Sequence, residues 1–396
     1  MDGAKSLLRV MAREVSAMVS GRLMRLMLLF IPLIGIGLFT ALFYQGSPEN
    51  LPVAVCDMDR SGLSRSIVRM VEATPDMSVM PVPDLAAGRQ AILSGTAYGL
   101  LVLPEHMERT LLAGGAPASR FYLNNQLMLA AGLLTRSMSE VYSAASTGMK
   151  LRVTQAQGVP ETRSRERTSG IHINRKVLFN PHLDYRWFLH SSLCPFLMKI
   201  FIMCATVWAV GGEIKRQRVD SWLEAAGGNI HLALLGKLLP HTLWFTLMGW
   251  GILVLFFGSM DLPKPQDPRA LMVGMPLYVM ACQSVALLFV AFTGEMAQAA
   301  SFTSFYASSS FVFAGVTFPS AAMPLAARLW HDVLPLTYVV RLINEQTVRG
   351  LAPAQSLGTL GALVWIVVLC GGVAWCRLTF RLSAKNVALT TAGGVA

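Results

Sequence analysis

Six long apolar runs constrain this chain more than any other feature of its sequence. They occupy residues 26–43, 188–211, 238–258, 270–293, 299–318 and 357–376. A helix needs about 20 mostly apolar residues to cross the hydrocarbon core of a bilayer, and each run approaches that length. Charged residues make up only 14% of the chain, whereas soluble domains carry about 25%. The sequence therefore predicts an α-helical polytopic membrane protein with six transmembrane helices.

Residues 1–25, which precede the first apolar run, predict a basic amphipathic helix. Apolar residues recur there at helical spacing with basic residues between them: Leu7, Leu8, Met11, Val15 and Met18, with Lys5, Arg9 and Arg13. Such a helix would lie in the cytoplasmic interface of the membrane, whereas a plain basic flank would explain the charge but not the spacing. No Ala-x-Ala-like site follows the run at 26–43, which favours an uncleaved signal anchor over a signal peptide.

The distribution of lysine and arginine over the short segments predicts the orientation in the membrane. Twelve of these residues lie on one side: Lys5, Arg9, Arg13, Arg22, Arg25, Lys215, Arg216, Arg218, Lys237, Arg377, Arg381 and Lys385. Five lie on the other side: Lys264, Arg269, Arg328, Arg341 and Arg349. Both termini, including the tail 377–396, are therefore predicted to be cytoplasmic. Because topology explains much of the net charge of +11, a nucleic-acid partner has little support.

The long segment 44–187 is predicted to fold as an inserted α/β domain on the outer side of the membrane. Its predicted strands are 51–57, 77–82, 98–103 and 120–123. Predicted helices lie between them at 61–73, 84–94 and 104–112, and a long helix follows at 126–153. This alternation of strand and helix is typical of a small α/β unit. Residues 159–170 are rich in charge, and we expect them to be mobile.

Recognisable enzymatic and metal-binding motifs are missing from the sequence. The nearest approach to a phosphate-binding G-x-x-x-x-G-K-[ST] loop is Gly236-Lys237, which is followed by Leu238 and has His231 in place of the first glycine. Five of the six cysteines lie in apolar runs, so Cys56 has no partner for an internal disulfide in the polar segment. We therefore predict no catalytic residues, no cofactor and no metal in this chain.

The segment 212–231, between the second and third apolar runs, is the main candidate for a mechanical role. It carries charges of alternating sign: Glu213, Lys215, Arg216, Arg218, Asp220 and Glu224. Its apolar residues form part of one helical face: Ile214, Val219, Trp222 and Leu223. This pattern predicts a short amphipathic helix across the cytoplasmic face, ended by Gly227-Gly228. Two interpretations remain open: the helix presses on a soluble partner, or it is an interfacial connector anchored by Trp222.

Polar residues within the apolar runs form a second group of candidates. Ser301, Ser304 and Ser308 belong to a fifth run dense in small polar residues, which predicts close helix–helix or subunit packing, or the lining of a conduit. Lys199 lies in the middle of the second run, and an intramembrane charge is by default a functional candidate. Its alternatives are a buried pair or a shifted boundary. Residues 319–355 are predicted to be an external hairpin of short interfacial helices.

Several motifs together resemble those of one transporter family. The polar domain opens with LPVAVCDMDRSGLSRSIVRMVEATP at 51–75 and continues with AYGLLVLP at 97–104. Further motifs are FNPHLDYRWFL at 179–189, GKLLP at 236–240, GVTFPSAAMP at 315–324 and LPLTYVVRLINEQTVRG at 334–350. In this order and spacing, the chain resembles the permease subunit of ABC-2 type exporters, in the subgroup with a large outer domain between the first two membrane helices.

This resemblance implies a set of partners and a location. A bacterial inner-membrane permease would pair with a second permease subunit, and each would dock on an ATP-binding subunit that holds ATP and Mg²⁺. The contact would involve Glu213, Lys215, Arg216, Arg218, Asp220, Trp222 and Glu224 together with the N-terminal helix. The outer domain would engage a periplasmic adaptor or receive the substrate, expected to be a hydrophobic or amphiphilic drug, a lipid or a similar molecule, and membrane lipids would surround the helices.

The chain departs from the family pattern in the cytoplasmic segment. The family often has Glu-x-x-x-Gly-Thr-x-x-x-Leu followed by proline, whereas Val219-Asp220 stands here in place of Gly-Thr and the proline is missing. Such a departure implies a divergent ATPase partner or an unequal pair of permeases. Two other functions are open to a chain of this kind. One is a secondary transporter, which is disfavoured because the apolar runs contain essentially no carboxylates. The other is a membrane scaffold or receptor that acts through its outer domain.

Overall fold

The computed structural model divides the chain into two compact units. The first unit contains Met1–Tyr44 and Tyr185–Ala396, and the second contains Gln45–Asp184. The structure describes residues 2–42, 46, 48–113, 115, 117–156, 180, 184, 186–259 and 262–392. The segment 159–170, predicted to be mobile, and the last four residues of the predicted tail lie outside the described residues.

The elements are numbered in chain order across both units. The first unit begins with α1 (Asp2–Ser20), α2 (Arg22–Arg25) and α3 (Ile31–Leu42). The second unit contains β1 (Leu51–Asp57), α4 (Gly62–Glu72), β2 (Met77–Pro81), α5 (Leu85–Leu93), β3 (Gly99–Leu103), α6 (Met107–Leu112), β4 (Arg120–Leu123) and α7 (Met128–Ala156). The first unit resumes with α8 (Arg186–Lys215), α9 (Val219–Ala225), α10 (Ile230–Ser259), α11 (Arg269–Thr293), α12 (Met296–Phe313), α13 (Leu325–Asp332), α14 (Pro335–Gln346), α15 (Leu357–Ile366) and α16 (Gly372–Ala392).

The second unit is a four-stranded sheet with helices on both faces. The strand order is β2-β1-β3-β4, in which β1 pairs in parallel with β2 and β3, and β4 pairs antiparallel with β3. Alternate residues of β1 point to opposite faces, so Val53 and Val55 pack with α4 and α7 while Ala54 and Cys56 pack with α5. Burial, with the nearby carboxylates of Asp84 and Asp57, raises the pKa of the Cys56 thiol, which fits a packing role.

Local signals explain the helix boundaries of this unit. The Ser61 hydroxyl accepts a hydrogen bond from the Ser64 N–H at 3.1 Å, and the Asp84 carboxylate accepts one from the Ala87 N–H at 2.7 Å. Both are N-caps at helix starts predicted from the sequence. Gly88 brings α5 close to the sheet, because a Cβ there would lie 2.5 Å from a Leu100 methyl carbon. The predicted helix over 104–112 begins later, at Met107, after left-handed His106.

The described part of the first unit contains four helices long and apolar enough to cross a membrane. They are Arg186–Lys215, Ile230–Gly258, Arg269–Thr293 and Pro353–Leu382. The other two predicted runs give a shorter apolar helix, Leu26–Leu42, and the 18-residue α12, whose many serines lower its hydropathy. α12 ends at Phe313 rather than at 318, while the last long helix continues as α16 to Ala392.

α11 lies at the centre of the first unit and packs against α8, α10, α12, α14 and α15. Its Tyr278 hydroxyl donates to the Pro195 carbonyl of α8 at 2.7 Å, which satisfies both groups in the apolar interior. In the predicted external hairpin, the Glu345 carboxylate is buried and accepts from Arg341 at 2.8 Å and from the Thr359 hydroxyl at 3.0 Å. The bond from Thr359 attaches α14 to α15.

Candidate functional site

The predicted cytoplasmic segment 212–231 is more helical than its sequence indicated. α8 continues to Lys215, α9 covers Val219–Ala225, and α10 begins at Ile230. Only short turns therefore separate the three helices. Gln217 has a left-handed backbone in the first turn, and Gly227 and Gly228 are left-handed in the second. The Gly228 N–H donates to the Leu223 carbonyl at 2.8 Å, which closes the end of α9.

α9 is amphipathic, and its apolar face packs against its own chain. Val219, Trp222 and Leu223 are buried. The Trp222 indole N–H donates to the Ala233 carbonyl at 3.2 Å, so the hydrogen bond attaches α9 to the first turn of α10. Trp222 was predicted to contact a partner or to anchor a connector, and the structure makes it an internal anchor, because its side chain has no exposed surface.

The opposite side of this region is charged and open to solvent. Lys215, Arg216, Arg218, Asp220 and Glu224 are all exposed. Arg216 also lies over the ring of Trp208 at 5.3 Å. Five of the seven residues predicted for partner contact thus share an accessible surface, which we call the α9 surface.

Glu213, the remaining predicted contact residue, lies instead in a largely buried cluster of charges. Lys237 Nζ is 2.9 Å from Glu213 Oε1 and 2.7 Å from Glu14 Oε2, and Arg13 contacts Glu213 at 3.4 Å. The Lys237 and Glu14 side chains are each 5% exposed. We call Arg13, Glu14, Glu213 and Lys237 the charge cluster. Because its two carboxylates face two cations, the charges within it balance.

The charge cluster explains the position of Lys237 and changes one expectation from the sequence. α10 begins at Ile230, before the predicted start at residue 238, and Lys237 turns inward to the two carboxylates. Glu213 was expected on the partner surface, but its carboxylate is engaged by α1 and α10. Glu14 escaped sequence analysis altogether. Its signal is its spacing, since it follows Ser6 and Val10 at intervals of four residues.

α1 uses a different face from the one predicted. The side packed on α10 carries Ser6, Val10 and Glu14, all buried. Gly236 allows this close approach, because a Cβ at that position would lie 2.7 Å from the Val10 Cβ. Of the predicted apolar face, Leu8 and Val15 are exposed, and so is Val19. α1 therefore has one face against the protein and a second, apolar face left open.

A family model described as ABC-2 family transporter protein matches residues 22–376. The chain belongs to this family. No curated protein matches it.

Membership of the ABC-2 family makes the chain a permease subunit of an ABC transporter and a multi-pass membrane protein. It also implies a partner that binds ATP. Permeases of this family are typically non-enzymatic membrane components. Within the described ranges of this ABC-2 permease, no three histidine, cysteine or acidic side chains converge as a metal site would require.

Lys199 of this ABC-2 permease is fully buried between α8 and α12. It donates a hydrogen bond to the Ser310 hydroxyl, and its ammonium lies 4.4 Å from the centroid of the Tyr306 ring. Among the described residues no carboxylate lies within 4 Å of it. The partners of Lys199 are therefore a hydroxyl and an aromatic face rather than an opposite charge.

The three serines predicted for a conduit or interface lie on one exposed side of α12. Ser301, Ser304 and Ser308 are all accessible, whereas Thr303 and Ser310 point into the protein. The hydroxyls of Ser301 and Ser308 donate to the carbonyls of Ala297 and Phe305, each at 3.1 Å, within the same helix. The structure thus leaves a narrow polar stripe available for contact with a further helix.

Proposed function

We propose that this permease subunit exports its substrate with energy from a separate ATPase that docks on the α9 surface and on α1. The observation that carries the proposal is the two-sided construction of α9. One side presents exposed charges, and the other is attached to α10 through the buried Trp222. ATP and Mg²⁺ would be bound by the ATPase, and this chain would contribute docking contacts.

The charge cluster supports the transmission of movement from the ATPase. It attaches α1 to α10 through Glu14 and Lys237, and to the cytoplasmic end of α8 through Arg13 and Glu213. Because these ion pairs are largely shielded from water, separating the helices would leave charges without partners. A displacement of α1 or α9 on ATP binding would therefore move α8 and α10 together, as a rigid-body change.

The exposed stripe Ser301–Ser304–Ser308 supports pairing with a second permease subunit, identical or not. Small residues let helix backbones approach closely in a membrane, where packing rather than the hydrophobic effect drives association. A path for a hydrophobic or amphiphilic substrate would run beside this contact. Lys199 of α8 contacts the opposite side of α12 through Ser310 and would influence the path through the packing of α12.

We further propose six spans, with both termini in the bacterial cytoplasm. α2 and α3 form one continuous helix from Arg22 to Leu42, and its apolar part, Leu26–Leu42, reaches roughly 26 Å at about 1.5 Å per residue, the lower end of what a span needs. α12 would be the other additional span, with its serine stripe covered by protein. This topology puts the α/β unit outside the inner membrane, where its helices could meet a periplasmic adaptor.

The test is co-purification of the ATPase from native membranes with the double variant Asp220→Arg, Glu224→Arg. Both residues are exposed on α9, so the reversal of charge should disturb docking without disturbing the fold. The matched control is Glu72→Arg, Glu105→Arg, which makes the same change in charge at exposed positions of the α/β unit.

We expect wild type and the control to recover an ATP-binding-cassette subunit, identified by mass spectrometry, and the α9 variant to lose it. Equal recovery by all three proteins would place the docking contact elsewhere. A wild-type protein that recovers no such subunit, from membranes in which other ABC complexes survive purification, would refute the proposal and favour a secondary transporter or a scaffold.

A further inference from the structure

A cavity of about 400 Å³ adjoins the charge cluster, and two of its residues, Arg216 and Arg218, also belong to the α9 surface. Its walls come from the end of α1, the start of α2 and the cytoplasmic end of α8 with the turn that follows. The residues that matter for the argument are Ala17, Arg22, Trp208, Arg216 and Arg218.

The cavity is positively charged. Glu14 and Glu213 also line it, but both are matched by Lys237 and Arg13. The other three charges are the guanidinium groups of Arg22, Arg216 and Arg218, and within the described ranges none has a carboxylate within 4 Å. An anion entering the cavity would thus meet three arginines and no uncompensated negative charge. Arginine is well suited to phosphate because its planar group donates in pairs.

The surroundings place the cavity at the depth of lipid headgroups. Arg22 begins the helix that continues into the apolar segment Leu26–Leu42, where Leu26, Phe30 and Leu33 are exposed. The open face of α1, with Val15 and Val19, is also apolar. Trp208 is an aromatic residue of the kind enriched where membrane meets water. A molecule with its charged end in the cavity would have apolar protein surface beside it.

We propose that the cavity binds the phosphate headgroup of an anionic phospholipid from the cytoplasmic leaflet. Arg22, Arg216 and Arg218 contact the phosphate, and the acyl chains follow the exposed side of α2 and α3. The bound lipid holds α1 against the end of α8 beside the charge cluster. This assignment rests on the proposed cytoplasmic location of α1 and α9, and it does not depend on the direction of transport. Arg216 and Arg218 are shared with the proposed ATPase surface, so lipid retention and ATPase recovery are measured separately.

A carboxylate of the ATPase is the competing occupant of the cavity, and the apolar surface argues against it. A soluble partner would gain nothing from Leu26, Phe30 and Leu33, whereas a phospholipid covers them with its chains. Because both occupants carry negative charge, the three arginines would bind either one, and an experiment is needed to distinguish them.

The experiment titrates the purified full-length chain in detergent with phosphatidylglycerol or with phosphatidylethanolamine of the same acyl chains. Native mass spectrometry counts the lipids retained. The test variant is Arg22→Gln, Arg216→Gln, Arg218→Gln, and the control Lys5→Gln, Arg9→Gln, Lys215→Gln removes three exposed cations outside the cavity. We expect wild type to prefer phosphatidylglycerol and the test variant to lose affinity by about fivefold for each arginine, while the control changes by less than about twofold.

A second variant tests the site without a change of charge. Ala17 lines the cavity and is exposed, so Ala17→Trp should fill the space and remove the retained phosphatidylglycerol. Equal retention of the two lipids by wild type, or equal losses in the test and control variants, would overturn the proposal. So would binding of soluble glycerol phosphate as tight as that of the lipid. Loss of the ATPase, with lipid retention unchanged in the arginine variant, would assign the cavity to a protein carboxylate instead.

Discussion

Among the described residues of the first unit, Lys199 and Lys237 are buried, and their surroundings differ completely. Lys237 lies 2.7 Å from Glu14 and 2.9 Å from Glu213. Lys199 has a serine hydroxyl and a tyrosine ring. The first lysine joins three helices, α1, α8 and α10, through opposite charges. The second joins α8 to α12 through neutral groups.

This difference predicts that Lys237 stabilises the folded protein through its ion pairs, whereas Lys199 contributes little to stability. Removal of one member of a buried ion pair leaves its partners charged in a poorly solvated place. Removal of a buried cation with neutral partners leaves nothing charged behind. The same residue type should therefore respond in opposite ways to the same substitution, and the following experiments test that contrast, from the largest expected effect to the smallest.

Lys237→Met should be the most damaging of these changes. It leaves the carboxylates of Glu14 and Glu213 largely buried, with Arg13 as their remaining close cation. We expect a loss of about 3–5 kcal/mol in the free energy of unfolding, measured by denaturant titration in detergent. Lys215→Met, at an exposed site on the α9 surface, is the matched control and should have little effect. Equal stability of the two variants would show that the charge cluster is not structural.

A double-mutant cycle between Glu14 and Lys237 isolates the pair itself. Glu14→Gln alone should destabilise the protein. In the Lys237→Met background, the same substitution should restore part of the lost stability, because it removes one of the buried carboxylates that have lost their lysine partner. We expect a coupling of about 1–3 kcal/mol between the two sites. Strict additivity of the two losses, in the same titration, would contradict the direct contact.

Lys199→Met should be close to neutral for stability or slightly favourable, within about 1 kcal/mol of wild type. A methionine of similar length fills the space and removes the cost of burying a cation. If Lys199 serves the substrate path, the stable variant should still transport poorly in reconstituted vesicles, whereas Ser310→Ala tests the hydrogen bond alone. A loss of stability comparable to that of Lys237→Met would erase the contrast between the two lysines.

The exposed ion pair between Asp267 and Arg269 should contribute the least to stability of the pairs compared here. Hydrogen bonds from the side chain and the backbone N–H of Arg269 hold the pKa of Asp267 below its ordinary value. The ionised Asp267 carboxylate therefore stabilises the folded state at pH values above the ordinary pKa of aspartate. This stabilisation is lost as the pH falls through the lowered pKa of Asp267 in the folded protein. We expect Arg269→Gln and wild type to have the same melting temperature at pH 7 and pH 6, because Asp267 stays ionised and water screens the pair. A difference that varies over this range would require another titrating group.

Sequence analysis predicted those features that depend on residues close together in the chain. The four strands of the α/β unit, the caps at Ser61 and Asp84, and the amphipathic helix α9 all follow from periodicity and local hydrogen bonding. The exposed residues of the α9 surface follow from the same pattern, since polar positions on a short helix turn away from its apolar side. Four of the six apolar runs likewise correspond to helices long and apolar enough to cross a membrane, with different ends.

Contacts between residues far apart in the chain could not be predicted from these local patterns. Glu14 and Lys237 are 223 residues apart, Arg13 and Glu213 are 200 apart, and Lys199 and Ser310 are 111 apart. Local spacing set which residues form helices and which helix faces are apolar. Only the packing of α1 against α10 decided that Glu213 and Lys237 turn inward, because a buried charge takes whichever opposite charge the tertiary structure brings within reach.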